Sequence, residues 1–99
     1  MRHYTWSDML YNEGVENAVL AANGEYAARH EFNHPSKKLL VRNEGPNDVF
    51  LGFDDDYATL NHFKLAAGDG LVELPVQCKK ISAICNALET ASVRITCCY

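Results

Sequence analysis

The sequence predicts an all-β fold, a β-sandwich or jelly-roll-like domain of about seven or eight short antiparallel strands with an N-terminal arm or short helix. Three observations predict it. Short apolar runs recur about every ten residues, separated by Gly, Asn, Asp and Pro. Residues 80–85 and 92–97 alternate polar and apolar side chains, as strands with one buried face do. Residues 39–53 place two apolar runs on either side of a turn-forming segment.

The size and charge of the chain limit its function. Its 99 residues suffice for one domain, and its formal net charge is −4. Nucleic-acid binding needs a concentrated basic face, whereas the basic residues here are scattered. No stretch is apolar enough to cross a bilayer, and the first residues lack the apolar region of a signal peptide. We therefore expect no nucleic-acid and no membrane partner, and synthesis in a cytoplasm.

Residues 1–14 are predicted to be an N-terminal arm that precedes a sandwich domain at residues 15–99. Thr5 and Asp8 have the spacing of a weak N-cap signature, which permits one or two helical turns. The arm either folds back over the core or packs on another chain. Tryptophan, tyrosine and methionine are enriched in interface cores. The large apolar side chains of the arm are therefore the candidate partner-binding residues: Tyr4, Trp6, Met9, Leu10 and Tyr11.

From residue 15 the pattern is typical of strands. Residues 15–21 can form a strand, Asn23-Gly24 is a strong turn signal, and residues 25–32 can return antiparallel to the first strand. A helix over residues 16–29 is the alternative, because alanine is common there. A glycine inside that helix would cost about 1 kcal/mol relative to alanine, so we expect a hairpin.

Residues 39–53 are predicted to form a second β-hairpin. Its apolar runs, Leu39–Val41 and Val49–Phe53, flank the turn-forming segment Asn43–Asp48, which is predicted to hold a loop of about five residues. Gly45 in that loop can adopt a positive φ, and Pro46 has no N–H to donate to a ladder.

The acidic run Asp54–Asp56 is predicted to be a solvated turn. An EF-hand loop needs acidic residues at alternate positions and a glycine at its sixth position, where this chain has Thr59. Pro75 indicates an edge position or a strand end for the segment around it. The remaining predicted strands occupy residues 60–66, 71–76, 80–85 and 92–97.

The four cysteines are predicted to be reduced and buried or half-buried. There is no C-x-x-C pair, and the gap between Cys78 and Cys85 matches no common zinc ribbon. The adjacent Cys97 and Cys98 point to opposite faces of a strand and do not easily share an ion. We expect no metal and no cofactor.

The segment His30-Glu-Phe-Asn-His34 matches H-E-x-x-H, the signature of zinc peptidases. That chemistry requires a helix, so that both imidazoles reach one ion while Glu31 activates a water. Pro35 disfavours the helical conformation of His34, and Asn23-Gly24 leaves little length for a helix. In a strand the two imidazoles would lie about 13 Å apart. A small zinc metallopeptidase is therefore the least favoured alternative, and we expect no enzyme.

Beyond these local patterns, one order of segments spans much of the chain. Its segments are Lys38–Asn43, a Gly/Pro/Asn turn, Val49–Gly52, a polar loop, His62–Gly68, Gly70–Leu74 and Ala91–Ile95. This order resembles the small β-sandwich structural proteins of tailed bacteriophages, which decorate heads or attach to tails.

The resemblance implies a virion structural accessory protein that binds and stabilises the capsid as a head decoration or cement protein, or the head–tail assembly. Its implied partners are the major capsid protein or other virion proteins and further copies of itself, and its implied location is the virion. A second hypothesis is a receptor- or glycan-binding β-sandwich at a tail tip, for which Tyr57 beside Asp54–Asp56 is the local candidate.

Overall fold

The computed structural model describes residues 14–99, and the predicted all-β sandwich is confirmed. The candidate arm residues Tyr4, Trp6, Met9, Leu10 and Tyr11 lie outside the described residues. No helix long and apolar enough to cross a membrane occurs among the residues described. The strands are β1 (Val15–Asn23), β2 (Ala28–Glu31), β3 (Lys38–Pro46), β4 (Val49–Phe53), β5 (Phe63–Leu65), β6 (Leu71–Leu74), β7 (Lys80–Ile84) and β8 (Thr90–Cys98).

The strands form two antiparallel sheets. Sheet A has the order β1-β8-β3-β6, and sheet B has the order β2-β7-β4-β5. Every pair of consecutive strands except β4–β5 therefore changes sheet. This is the strand order of a jelly roll, in which two Greek keys are folded over a common core.

The two predicted hairpins are wrong in their pairing, although their strands and turns exist. β1 pairs with β8 and β2 with β7, while β3 pairs with β8 and β6 and β4 with β7 and β5. Turn residues reverse the chain but do not decide whether the returning strand pairs beside the first or crosses to the facing sheet. Here the inward apolar residues of β1, β3 and β4, together with Phe32 just after β2, are buried because the two sheets face each other.

The core lies between the sheets and is built by the predicted alternation. On β3, Leu39 and Val41 are fully buried, and on β4 so are Val49 and Leu51. Phe32, just after β2, is the largest fully buried side chain among residues 14–99. Within residues 14–99 every buried side-chain nitrogen or oxygen has a hydrogen-bond partner.

A buried asparagine fixes the turn between β3 and β4. Asn43 Nδ2 donates to the carbonyls of Asn47 and Leu65, at 2.8 and 3.0 Å, and its Oδ1 accepts from the N–H of Gly45 at 2.8 Å. Gly45 has φ of 85°, the positive value expected from the sequence. Pro75 follows the last residue of β6, an edge strand of sheet A, as expected.

All four cysteines are free and buried, which agrees with the predicted burial. Burial raises the pKa of the Cys78 and Cys85 thiols, and it raises the pKa of Cys97 to about 11. These thiols are therefore protonated at neutral pH and are poor nucleophiles. No group of three or more potential metal ligands occurs among residues 14–99.

Candidate functional site

The H-E-x-x-H segment does not form the helix that zinc chemistry requires. His30 lies on β2, where its ring meets the edge of Phe32 with centroids 5.1 Å apart. His34 lies in the loop after β2 and stacks on Tyr99 with centroids 3.9 Å apart. Each imidazole thus has its own aromatic partner, and the motif has no common face on which to hold one ion.

His34 instead belongs to a cluster that fastens the β2–β3 loop to the start of β1. The Glu16 carboxylate accepts hydrogen bonds from the N–H groups of Asn33 and His34, both at 2.9 Å, and lies 2.9 Å from His34 Nδ1. Because an ionised carboxylate only accepts, Nδ1 carries the hydrogen in this contact. The bond from Asn33 is the main cause that lowers the pKa of Glu16, and the contacts with His34 add to it.

This cluster predicts a particular loss of stability in acid. The pKa of Glu16 is lower in the folded protein than its ordinary value of 4.5, so the unfolded chain takes up the proton first. The stability that the ionised Glu16 carboxylate contributes is present above pH 4.5, and it is lost as the pH falls through the lower pKa of the folded protein. We expect the melting temperature to fall less between about pH 6 and about pH 3 in Glu16→Gln than in the wild type. Thermal melts followed by circular dichroism check this, and parallel pH profiles would contradict it.

A concave site with a polar lining lies on sheet B, beside β2 and β7. It is a cavity of about 390 Å³, which we call the Tyr57 cavity, and its lining comes from β2, β7 and the loop after β4: Arg29, His30, Glu31, Asp54, Tyr57, Lys80 and Ile81. The Tyr57 side chain is partly exposed, at 44%. Apart from Tyr57 and Ile81, the lining residues carry acidic or basic side chains, so the cavity combines one aromatic wall with several polar groups.

The loop that carries Tyr57 is held in place by backbone contacts. Asp54 has φ of 54°, and its Oδ1 accepts from the N–H groups of Lys79 and Lys80 at 2.8 and 3.3 Å. Farther along, the N–H of Ala58 donates to the buried Ser82 Oγ at 2.8 Å. The loop passes so close to β4 that a Cβ on Gly52 would lie 2.3 Å from the carbonyl oxygen of Asp56. The predicted acidic turn is thus exposed and also structured.

Charges of both signs surround the cavity. The Arg29 guanidinium lies over the Tyr57 ring, 4.5 Å from its centroid. Lys80 Nζ lies 3.1 Å from Asp55 Oδ1, and this hydrogen bond raises the pKa of Lys80. With the Glu31 carboxylate on β2, the site offers donors and acceptors beside an aromatic ring. The charged lining residues are two cations, Arg29 and Lys80, and two carboxylates, Glu31 and Asp54, so the set suits a neutral, polyhydroxylated ligand better than a strongly charged one.

A second candidate surface is the outer face of sheet A. One row of side chains crosses all four strands of that sheet: Val19, Arg94, Arg42 and Leu71. Val19 and Leu71 at its ends are 56% and 66% exposed. Arg94 Nε lies 3.2 Å from Glu44 Oε1, while Arg42 makes no ion pair within the described part of the chain. The row therefore combines exposed apolar groups with a guanidinium available to a partner.

Comparisons with protein-family models, curated proteins and solved structures found no match to this chain.

The sequence indicated only part of these two surfaces. It pointed to Tyr57 and Asp54–Asp56, but Arg29 and Lys80 come from strands distant in the chain and were missed. The row on sheet A was also missed, because alternation shows that one face is polar but does not say which strands lie side by side. The arm residues predicted to bind a partner lie outside residues 14–99.

Proposed function

We propose that the protein is a non-enzymatic binding protein, a structural accessory of a phage virion that docks on the capsid or on the head–tail assembly and stabilises it. The jelly-roll order supports the proposal by analogy, because viral capsid domains use this architecture. Fold analogy alone does not assign a function. The observation that carries the proposal is therefore the row on the outer face of sheet A.

This row has the composition of a docking surface. Arginine is enriched at protein interfaces, and their buried cores are more apolar than the rest of the surface. Arg42 stands between Arg94 and Leu71 on the outer side of sheet A. A matching partner presents a carboxylate opposite Arg42 and apolar groups opposite the ends of the row. Binding only to the assembled lattice shifts the equilibrium away from disassembly, which is how such a protein stabilises a particle.

The test is binding to purified virions from the genome that encodes this chain. We expect mass spectrometry to detect the protein in the particles, and we expect Leu71→Asp to weaken its rebinding to stripped particles about tenfold or more. Leu88→Asp is the matched control, because Leu88 is fully exposed but lies in the β7–β8 turn, off the face. Equal binding by both variants would contradict a role for the face, and absence of the protein from the virions would contradict the proposed function.

The N-terminal arm is the second proposed contact with the particle. Deletion of residues 1–12 is expected to leave a folded sandwich, because the strands begin at Val15, and to abolish particle binding. Unchanged binding by the truncated protein would remove the arm from the proposal while leaving the sheet face in place.

The Tyr57 cavity supports a second candidate function, glycan binding at a tail tip. A sugar ring can pack its C–H face on the part of the Tyr57 ring that Arg29 does not cover, and pair its hydroxyls with Glu31 and Arg29. A glycan array is expected to give hits that Tyr57→Ala abolishes. Tyr26→Ala is the control, because Tyr26 is also exposed, at 64%, but lies in the β1–β2 turn. An array without hits would contradict this function.

A further inference from the structure

We infer that the free edge of β1 pairs with β1 of a second copy, antiparallel, so that two copies of sheet A join into one continuous sheet. The inference rests on the proposed function, because it gives a geometry to the self-association that the resemblance implies for such an accessory protein. Its test measures the oligomeric state and not particle binding, so the dimer and the proposed function can each fail independently of the other.

Among residues 14–99, the backbone of β1 pairs with β8 on one side and with no strand on its other, open side. Gly14 and Tyr99 exchange two hydrogen bonds, N–H to carbonyl, at 3.2 and 3.0 Å. Because paired residues in an antiparallel ladder alternate between bonded and non-bonded positions, the even-numbered residues of β1 bond to β8. The N–H and C=O groups of the odd-numbered residues then point away from β8: Val15, Asn17, Val19 and Ala21.

β1 is the one long edge strand among those described. It has nine residues, whereas the other edge strands β2, β5 and β6 have four, three and four. β6 also carries the charged Glu73 and is followed by Pro75, both of which discourage pairing. β1 carries neither lysine nor proline, so its open side is a template for another strand.

The side chains of β1 favour a second copy as the occupant. The outward residues Val15, Asn17, Val19 and Ala21 are uncharged, and the two valines are each 56% exposed. Each copy has a formal net charge of −4, so an uncharged strand is where two copies can meet without direct repulsion. The one carboxylate on β1, that of Glu16, is occupied by the N–H groups of Asn33 and His34.

One register uses all four open residues. With the two-fold axis at Ala18, Val15 lies opposite Ala21, and Asn17 lies opposite Val19. Each of these pairs then exchanges two backbone hydrogen bonds, with Cα atoms about 5.5 Å apart. Both ends of β1 are anchored within their own copy, by the Gly14–Tyr99 pair and by the Asn23 carbonyl, which accepts from the N–H of Cys85 at 2.8 Å. The strand is therefore presented in a fixed, extended form.

Sedimentation equilibrium of the full chain tests the inference. We expect a monomer–dimer equilibrium that Val19→Lys weakens about tenfold or more, because it places like charges close together at the new seam. Ala21→Pro is expected to have the same effect, since it removes an N–H that points to the open side. Leu71→Lys is the matched control and should leave the dimer intact, because Leu71 is as exposed but lies at the opposite edge of sheet A.

Disulfide trapping keeps the inference testable if those variants fail to fold. A mixture of Asn17→Cys and Val19→Cys chains is expected to form a crosslinked dimer, since the predicted spacing fits a disulfide. A monomeric wild type at about 100 µM, a dimer unaffected by both β1 variants, or equal weakening by Leu71→Lys would overturn the inference. Loss of the dimer on deletion of residues 1–12 alone, with the β1 variants unaffected, would assign the contact to the arm instead.

Discussion

Replacing Leu51 with alanine is expected to lower the free energy of unfolding by about 2–5 kcal/mol. Leu51 is completely buried on β4 and points into the space between the sheets, so its removal loses apolar contacts and leaves a cavity. Small domains have only about 5–15 kcal/mol of stability in total, so this single change removes a large part of it.

The matched control for Leu51→Ala is Leu88→Ala. Leu88 is fully exposed, so the same chemical change should alter the free energy of unfolding by less than about 0.5 kcal/mol. Urea unfolding followed by circular dichroism measures both variants. A similar, small loss for both would mean that the described core does not hold the protein together.

Replacing the next residue, Gly52, with alanine is expected to cost about 3 kcal/mol for the opposite reason, overpacking. The new Cβ would lie 2.3 Å from the carbonyl oxygen of Asp56 and 2.5 Å from the backbone nitrogen of Ala58. These are backbone atoms and cannot swing aside. The loop must lift away from β4, and the Tyr57 cavity that it closes must widen.

Gly68→Ala separates this clash from the general effect of losing a glycine. Gly68 has φ of 86°, but nothing lies within 4 Å of a Cβ placed there. We expect a cost of about 1 kcal/mol from backbone strain alone. Urea unfolding gives both values, and proteolysis of the loop around Tyr57 is expected to accelerate only in Gly52→Ala. Equal effects of the two substitutions would contradict the close approach of the loop.

Alternation along the chain was sufficient to predict the strands, but not their partners. The pattern at 92–97 identifies β8, since one of its faces is apolar, but it does not reveal that β8 lies between β1 and β3. The turn signals at Asn23-Gly24 and at 43–48 reverse the chain, and the two predicted hairpins failed because a reversal is compatible with either sheet. The second strand of each predicted hairpin lies in the opposite sheet, because apolar side chains from the two sheets can then be buried against each other.

The candidate sites were harder to predict than the fold for the same reason. The Tyr57 cavity needs residues from β2, β7 and the loop after β4, which only the sheet order brings together. Asp54 looked like part of an acidic surface run, whereas its carboxylate binds the backbone of Lys79 and Lys80. The H-E-x-x-H motif suggested a zinc site, but its spacing brings the two histidines together only on a helix.

The pairing of β1 with β8 also governs how the chain reaches its native state. Val15 is aligned with Cys98, so sheet A cannot be completed until nearly the whole domain has left the ribosome. Closing such a long loop is entropically costly, and proteins dominated by non-local strand pairing fold in about milliseconds to seconds. During that interval β3 and β6 are already synthesised, but β8, which joins them to β1, is not yet in place. The incomplete sheet therefore exposes unpaired strand edges to other polypeptide chains.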